Sequence, residues 1–209
     1  MKYHPEILKT LKKHYPQKGD MDLGSPADSL LATIMSARTT DAQVLKMFPS
    51  FRKKFPNWNT LAKAKVEDIA SAMNTIGLYR NKAKSIKALS QKIITDHQGK
   101  VPNNMDELVA LPGVGRKTAS CVLSACYNKP AIAVDTHVFR IAHRLGWAKG
   151  KDVVKVEKEL AELVPQKSWS HINRTFVHFG REICKPGKPL CYKCPIASYC
   201  AYPNKTLEP

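Results

Sequence analysis

Four cysteines near the C-terminus, Cys184, Cys191, Cys194 and Cys200, are spaced C-x6-C-x2-C-x5-C. Four thiolates in so compact a set suit metal chemistry, either an iron–sulfur cluster or a structural zinc ion. Zinc sites usually come as two close pairs, whereas here only Cys191 and Cys194 are closely paired. The spacing therefore favours iron–sulfur and leaves zinc open. Met1–Asp20 mixes Lys and His with its apolar residues, so no export signal is expected, and metal fits the cluster better than disulfides. Lys185, Lys188 and Lys193 lie in the same stretch, which suits it to contact DNA. Cys121 and Cys126 sit in an apolar helical run and are expected to be buried core thiols.

A second chemical motif reads Leu111-Pro112-Gly113-Val114-Gly115-Arg116-Lys117-Thr118-Ala119. Pro112 closes one helix, Gly113 and Gly115 permit a tight turn, and a new helix starts near Gly115. Free N–H groups at that start can hold a DNA phosphate, with no side chain in the way. This is the pattern of a helix-hairpin-helix, a grip on the DNA backbone that ignores sequence; an ordinary helix–helix turn would read similarly. Lys117 falls in the first turn of the new helix beside Arg116. Both features disfavour an ammonium, which is how a lysine becomes an amine nucleophile. A phosphate-contacting lysine is the alternative. Asp135, in Ala133-Val134-Asp135-Thr136-His137, opens another helix as an N-cap or as a carboxylate that stabilises cationic charge. His137 reads as structural or phosphate-contacting rather than catalytic.

Helices must position these groups, because apolar spacing is helical nearly throughout. Ile7, Leu8, Leu11 and Tyr15 form one stripe; Ile86, Leu89, Ile93 and Ile94 another; Val156, Leu160 and Leu163 a third. Ser25-Pro26, Asn104 and Asp152 mark helix starts. Pro49, Pro56, Pro102, Pro112, Pro130 and Pro165 are expected to punctuate the helices. No hairpin of alternating runs occurs, and the apolar run Pro130–Val134 has no partner strand. The fold class is all-α, with a middle helical block and a basic C-terminal block.

Lys and Arg number 34 against 17 Asp and Glu, a formal charge of +17 over 209 residues. That balance implies a polyanionic partner, nucleic acid first. An apolar share of 43% with 24% charged residues fits a globular chain rather than a disordered one. The longest uncharged apolar stretches, Ser29–Ala37 and Thr118–Tyr127, are too short to span a bilayer, and no membrane association is expected. The expected location is the cytoplasm, with the nucleoid if the source is bacterial.

The chain resembles the endonuclease III family of helix-hairpin-helix DNA glycosylases. The resemblance rests on Ile76-Gly77-Leu78-Tyr79, Leu111–Ala119, Val134–Arg140, His178-Phe179-Gly180-Arg181 and the cysteine tail. It implies two helical domains: a six-helix barrel with the hairpin over 20–129, and an iron–sulfur domain over 130–209 completed by the N-terminal helix 1–19. A 4Fe–4S cluster would be held by Cys184, Cys191, Cys194 and Cys200. The target nucleotide would flip into a cleft between the domains, with Lys117 and Asp135 at its mouth. By the same resemblance Lys117 attacks C1′, the base leaves, and β-elimination cuts the strand, with Asp135 assisting. The partner would be duplex DNA carrying a damaged or abasic site, engaged by a monomer.

One position departs from the family pattern. Its usual Gln, which fills the space of the flipped nucleotide, is Arg38 here, in Met35-Ser36-Ala37-Arg38-Thr39. Arginine can contact guanine bidentately, and similar arginines occur in mismatch glycosylases that remove thymine or uracil opposite guanine; or it can simply reach a phosphate. Leu78 matches the second intercalating residue, an apolar wedge. Gly113, Val114, Gly115, Arg116 and His137 complete the expected DNA-binding set. Oxidised pyrimidines are the leading substrate expectation, with a mismatch thymine or uracil glycosylase as the alternative. Such mismatch enzymes generally lack the lysine that Lys117 supplies. An adenine-mismatch enzyme would want a Glu where this chain has Thr33. A non-catalytic DNA-binding module would need neither Lys117 nor Asp135.

Overall fold

Helices begin where the side chains of Ser25, Thr40, Asn57, Asn104, Asp135 and Asp152 accept from amides of the first turn. A computed structural model describes residues 3–15 and 21–208, so the expected domain boundary at 19/20 lies outside the described residues. The helices are α1 (Pro5–His14), α2 (Pro26–Ser36), α3 (Asp41–Lys54), α4 (Trp58–Lys63), α5 (Val66–Ser71) and α6 (Tyr79–His97). They continue as α7 (Met105–Val109), α8 (Arg116–Cys126), α9 (Thr136–Arg144), α10 (Val153–Leu163) and α11 (Trp169–Glu182). No strand occurs among the described residues, and none of their helices is long and apolar enough to cross a membrane.

The described residues fall into two compact units, one from segments 1–19 and 129–209, the other from 20–128. In the 20–128 unit, α6 packs on α4, α5 and α2, and α2 packs on α3 and α8. Ala83, Ile86, Leu89 and Ile93 bury one face of α6, leaving Ile94 at its margin. In the other unit, α9 packs on α10 and α11, and α1 on α11. Its core centres on Trp147, whose ring lies 5.4 Å from Tyr3 and 6.0 Å from Phe176. Ile7, Leu8, Leu11, Val156 and Leu160 complete it, with Tyr15 and Leu163 half-buried at the edge.

Starts follow the sequence closely. The Asp28 amide donates to Ser25 Oγ at 3.0 Å with Pro26 at the first helical position. The Glu107 amide donates to Asn104 Oδ1, and the Lys155 amide to Asp152 Oδ1, each at 2.9 Å.

Two expectations are corrected. Pro49 does not end a helix; it lies inside α3. Its ring sits on the exposed side, and buried Val44, Phe48 and Phe51 hold the helix against a local cost of about 3 kcal/mol. Cys121 and Cys126 are half-buried rather than core residues. The buried face of α8 is set by Ala119, Val122 and Leu123, which turns Cys121 aside, and Cys126 ends the helix.

Candidate functional site

Within the 20–128 unit, two turns carry the residues expected to enter DNA. Arg38 follows the end of α2 and is exposed, with φ +55°. Leu78, the N-cap of α6, is 51% exposed with φ +58°. Left-handed backbone at a side-chain-bearing residue costs roughly 1–2 kcal/mol and persists only where its surroundings impose it. Here they do. The Gly77 amide donates to Thr39 Oγ1 at 3.0 Å, and Gln43 Nε2 donates to the Thr75 carbonyl. A Cβ on Gly77 would meet the Arg38 carbonyl oxygen at 2.9 Å, so only glycine lets the two turns approach this closely. Lys82, 6% exposed, donates to the Met35 carbonyl at 2.6 Å and to Thr39 Oγ1 at 3.3 Å. Burial pulls its ammonium below the ordinary lysine range.

The hairpin turn joins α7 to α8 in the same unit. Gly113 has φ +78°, and a Cβ there would strike Ser85 Cβ at 2.8 Å, so glycine is required twice over. Gly115, the N-cap of α8, faces open space and brings no side-chain cap. Gly115 therefore supplies no capping oxygen of its own, and the N-terminal end of the α8 dipole, where an anion is favoured, is approached across a glycine. Lys117 stands exposed in that turn, next to exposed Arg116. Val114 differs from its neighbours: its side chain is buried and its amide donates to the Leu111 carbonyl at 3.1 Å. It braces the turn from beneath.

In the other unit, buried Ala131–Val134 lead into α9, and Asn173 Nδ2 donates to the Ala133 carbonyl at 2.9 Å. Asp135 is the N-cap: its Oδ1 accepts from the amides of His137 and Val138, both at 2.9 Å. One oxygen does all the capping and the other remains for further chemistry. Arg140 stands between His137 and the cysteine segment, with Nη2 3.2 Å from His137 Nδ1 and Nε donating to the Cys184 carbonyl at 3.1 Å. Gly180 makes room for both, since a Cβ would meet His137 Nδ1 at 2.6 Å and Arg140 Nη2 at 2.8 Å.

Cys184, Cys191, Cys194 and Cys200 all line one pocket, walled by apolar residues such as Ile141, Leu145, Phe179 and Ile196. Burial pushes the Cys194 thiol up to about 11 and raises Cys200 as well, with the neighbouring thiols adding to both. Thiolates there need a cationic centre to offset their desolvation. Arg144 braces the cavity: Nη1 donates to Cys184 Sγ at 3.3 Å and to the Lys185 carbonyl at 2.7 Å, and its guanidinium lies 4.6 Å from the Tyr202 ring. Among the described residues no three His, Cys, Asp or Glu side chains come close enough to hold a single metal ion.

Residues 31–166 match the HhH-GPD superfamily of base excision DNA repair proteins. The chain belongs to that superfamily. It is an enzyme, a base-excision DNA glycosylase. An endonuclease III from Synechocystis sp. is 40% identical over 197 residues, 93% of this chain and 90% of the relative. The fold matches a solved structure of a trapped endonuclease III–DNA covalent intermediate, an estranged-adenine complex, with TM-score 0.86 and 36% identity over 96% of both chains. A thermostable thymine-DNA glycosylase structure follows at TM-score 0.84 and 28% identity, over 94% of this chain and 92% of that one.

The sequence pointed to Arg38 and Leu78 singly but not to what joins them. Lys82 is the missed residue, and its signal was periodicity: it stands four residues before Ile86 and seven before Leu89, on the apolar face of α6. The contacts of Arg140 and Arg144 with the cysteine segment were missed because they join residues some forty positions apart in sequence.

Proposed function

We propose that this HhH-GPD glycosylase removes oxidised pyrimidines from duplex DNA and cuts the resulting abasic strand through a Schiff base at Lys117. The observation that carries the reading is Lys117 itself, an exposed lysine in the first turn of a helix whose N-cap is glycine. The relatives named endonuclease III, one trapped covalently on DNA, support it.

The chemistry follows from the groups. The Lys117 amine attacks C1′ of the flipped nucleotide; the C1′–N bond breaks, and the base leaves with the electron pair and takes up a proton. The sugar ring opens to an iminium that acidifies the C2′ proton. Loss of that proton expels the 3′ phosphate, and water then releases the enzyme's amine. Asp135, through the carboxylate oxygen not used in capping, assists activation of the nucleophile and offsets positive charge on the sugar. Amides at Gly113, Gly115 and Arg116 hold the backbone, His137 contacts a phosphate, and Arg38 and Leu78 occupy the space of the flipped nucleotide. A charge of +17 supplies non-specific affinity for duplex DNA, bound by a monomer.

Cys184, Cys191, Cys194 and Cys200 would hold a 4Fe–4S cluster. One zinc ion with Zn–S bonds of about 2.3 Å needs sulfurs roughly 3.8 Å apart. Four thiols lining one apolar-walled pocket supply the donors that either group needs, and the C-x6-C-x2-C-x5-C spacing favours the cluster. The cluster would order the basic loop and take no part in bond cleavage.

Arg38 favours a second reading, base removal from G·T or G·U mismatches, and the likeness to a thymine-DNA glycosylase supports it. Purified protein incubated with thymine-glycol and G·T duplexes in parallel separates the two. Release of thymine glycol with strand cleavage is expected; release of thymine from the mismatch alone, without cleavage, would overturn the oxidised-pyrimidine reading.

A further inference from the structure

Lys82 is a buried ammonium whose partners are all neutral. It donates to the Met35 carbonyl at 2.6 Å and to Thr39 Oγ1 at 3.3 Å, and no carboxylate pairs with it among the described residues. Taking a cation out of water is unfavourable unless its surroundings compensate. What surrounds it is one structural joint. The Met35 carbonyl is in the last turn of α2, at the negative end of its dipole, and Thr39 follows Arg38 directly. Thr39 Oγ1 accepts a second hydrogen bond, from the Gly77 amide, next to Leu78. Lys82 belongs to the first turn of α6, whose opening hydrogen bond runs from the Lys82 amide to the Leu78 carbonyl at 3.0 Å. The side chain of Lys82 therefore holds the turn of Arg38, while its backbone holds the turn of Leu78. Both turns carry a left-handed residue with an exposed side chain, a strain that needs an external brace.

We propose that Lys82 is the positioning residue that latches these two turns together, fixing the separation of Arg38 and Leu78 and hence how strictly the base opposite the lesion is read. The proposal rests on the reading of Arg38 and Leu78 as the residues that fill the flipped nucleotide's place. A wedge whose two halves move independently can still enter a duplex, but it cannot present a guanidinium at one fixed register to the opposite base. Opening the latch therefore relaxes discrimination as well as slowing work on duplex DNA. It leaves reactions that need no wedge alone.

The test compares the wild type with Lys82→Met, which keeps the length and removes the donors. Two substrates separate the roles: a thymine-glycol duplex with guanine or adenine opposite, and a single-stranded abasic oligonucleotide, where there is no opposite base. Lys82→Met is expected to lower kcat/KM on the duplex at least tenfold and to bring the guanine-to-adenine preference toward unity. Cleavage of the single strand should stay within twofold of wild type. Thr39→Val keeps the shape and removes the shared acceptor; it should move the same two readouts in the same direction, and the double variant should be no worse than Lys82→Met alone. Should Lys82→Met fail to fold, Thr39→Val carries the test. Equal losses on both substrates would reduce Lys82 to a general support of the fold and overturn the proposal, as would an unchanged opposite-base preference. A wild type that processes neither substrate would instead overturn the functional reading beneath it.

Discussion

The Gly77 amide and the Thr39 hydroxyl meet at 3.0 Å across two turns that lie 38 residues apart in the chain. This contact brings the Arg38 and Leu78 turns within reach of one another, and it exists because position 77 has no Cβ.

Gly77→Ala tests the approach itself. Its Cβ would sit 2.9 Å from the Arg38 carbonyl oxygen, a backbone atom that cannot swing away. The turns must separate, at about 1–3 kcal/mol of stability. Thermal unfolding should show that loss, and activity on lesion-bearing duplex should fall further than activity on single-stranded abasic DNA. An unchanged midpoint would mean that the turns part freely.

Asp135→Asn separates the cap from the chemistry. Asparagine accepts the His137 and Val138 amides as aspartate does, so stability should change by no more than about 0.5 kcal/mol. Base release should nonetheless drop about 100-fold or more, since an amide cannot take a proton. Full activity in the variant would confine Asp135 to the cap.

Cys194→Ser should give a colourless protein of much lower thermal stability, because metal-binding energy in such a site is largely folding energy. Absorption spectra and iron analysis read this directly. A stable, active variant with full iron content would remove Cys194 from the ligand set.

Glu159 sets a pH dependence. Its carboxylate accepts the Gly150 and Lys149 amides, at 2.9 and 2.8 Å, and these bonds hold it below the ordinary glutamate range. A depressed carboxyl stabilises the fold above its unfolded value and loses that contribution as pH falls through the folded one. The difference in unfolding midpoint between wild type and Glu159→Gln should therefore be largest near neutrality and shrink as the solution is taken below the glutamate range. A constant difference would contradict the linkage.

Much of this was legible in the sequence, for local reasons. Caps at Ser25, Asn104 and Asp152 depend on a side chain and an amide three residues on, and the placement of Lys117 depends only on where α8 starts. What was not legible depends on partners distant in sequence. Pro49 reads as a breaker until Val44, Phe48 and Phe51 are seen to be buried around it. Nor does the sequence say that the Val114 side chain is buried beneath the hairpin turn. The role of Lys82 needs the end of α2, 47 residues away, to be in place.

Borohydride trapping tests Schiff-base chemistry at Lys117 most directly. Wild-type protein is incubated with abasic and thymine-glycol duplexes in the presence of borohydride, beside Lys117→Gln. A covalent protein–DNA adduct on both substrates is predicted for the wild type and none for the variant, which should still bind abasic duplex. An adduct formed equally well by Lys117→Gln would place the nucleophile elsewhere, and base release by the wild type with no adduct at all would show a glycosylase without the lyase step.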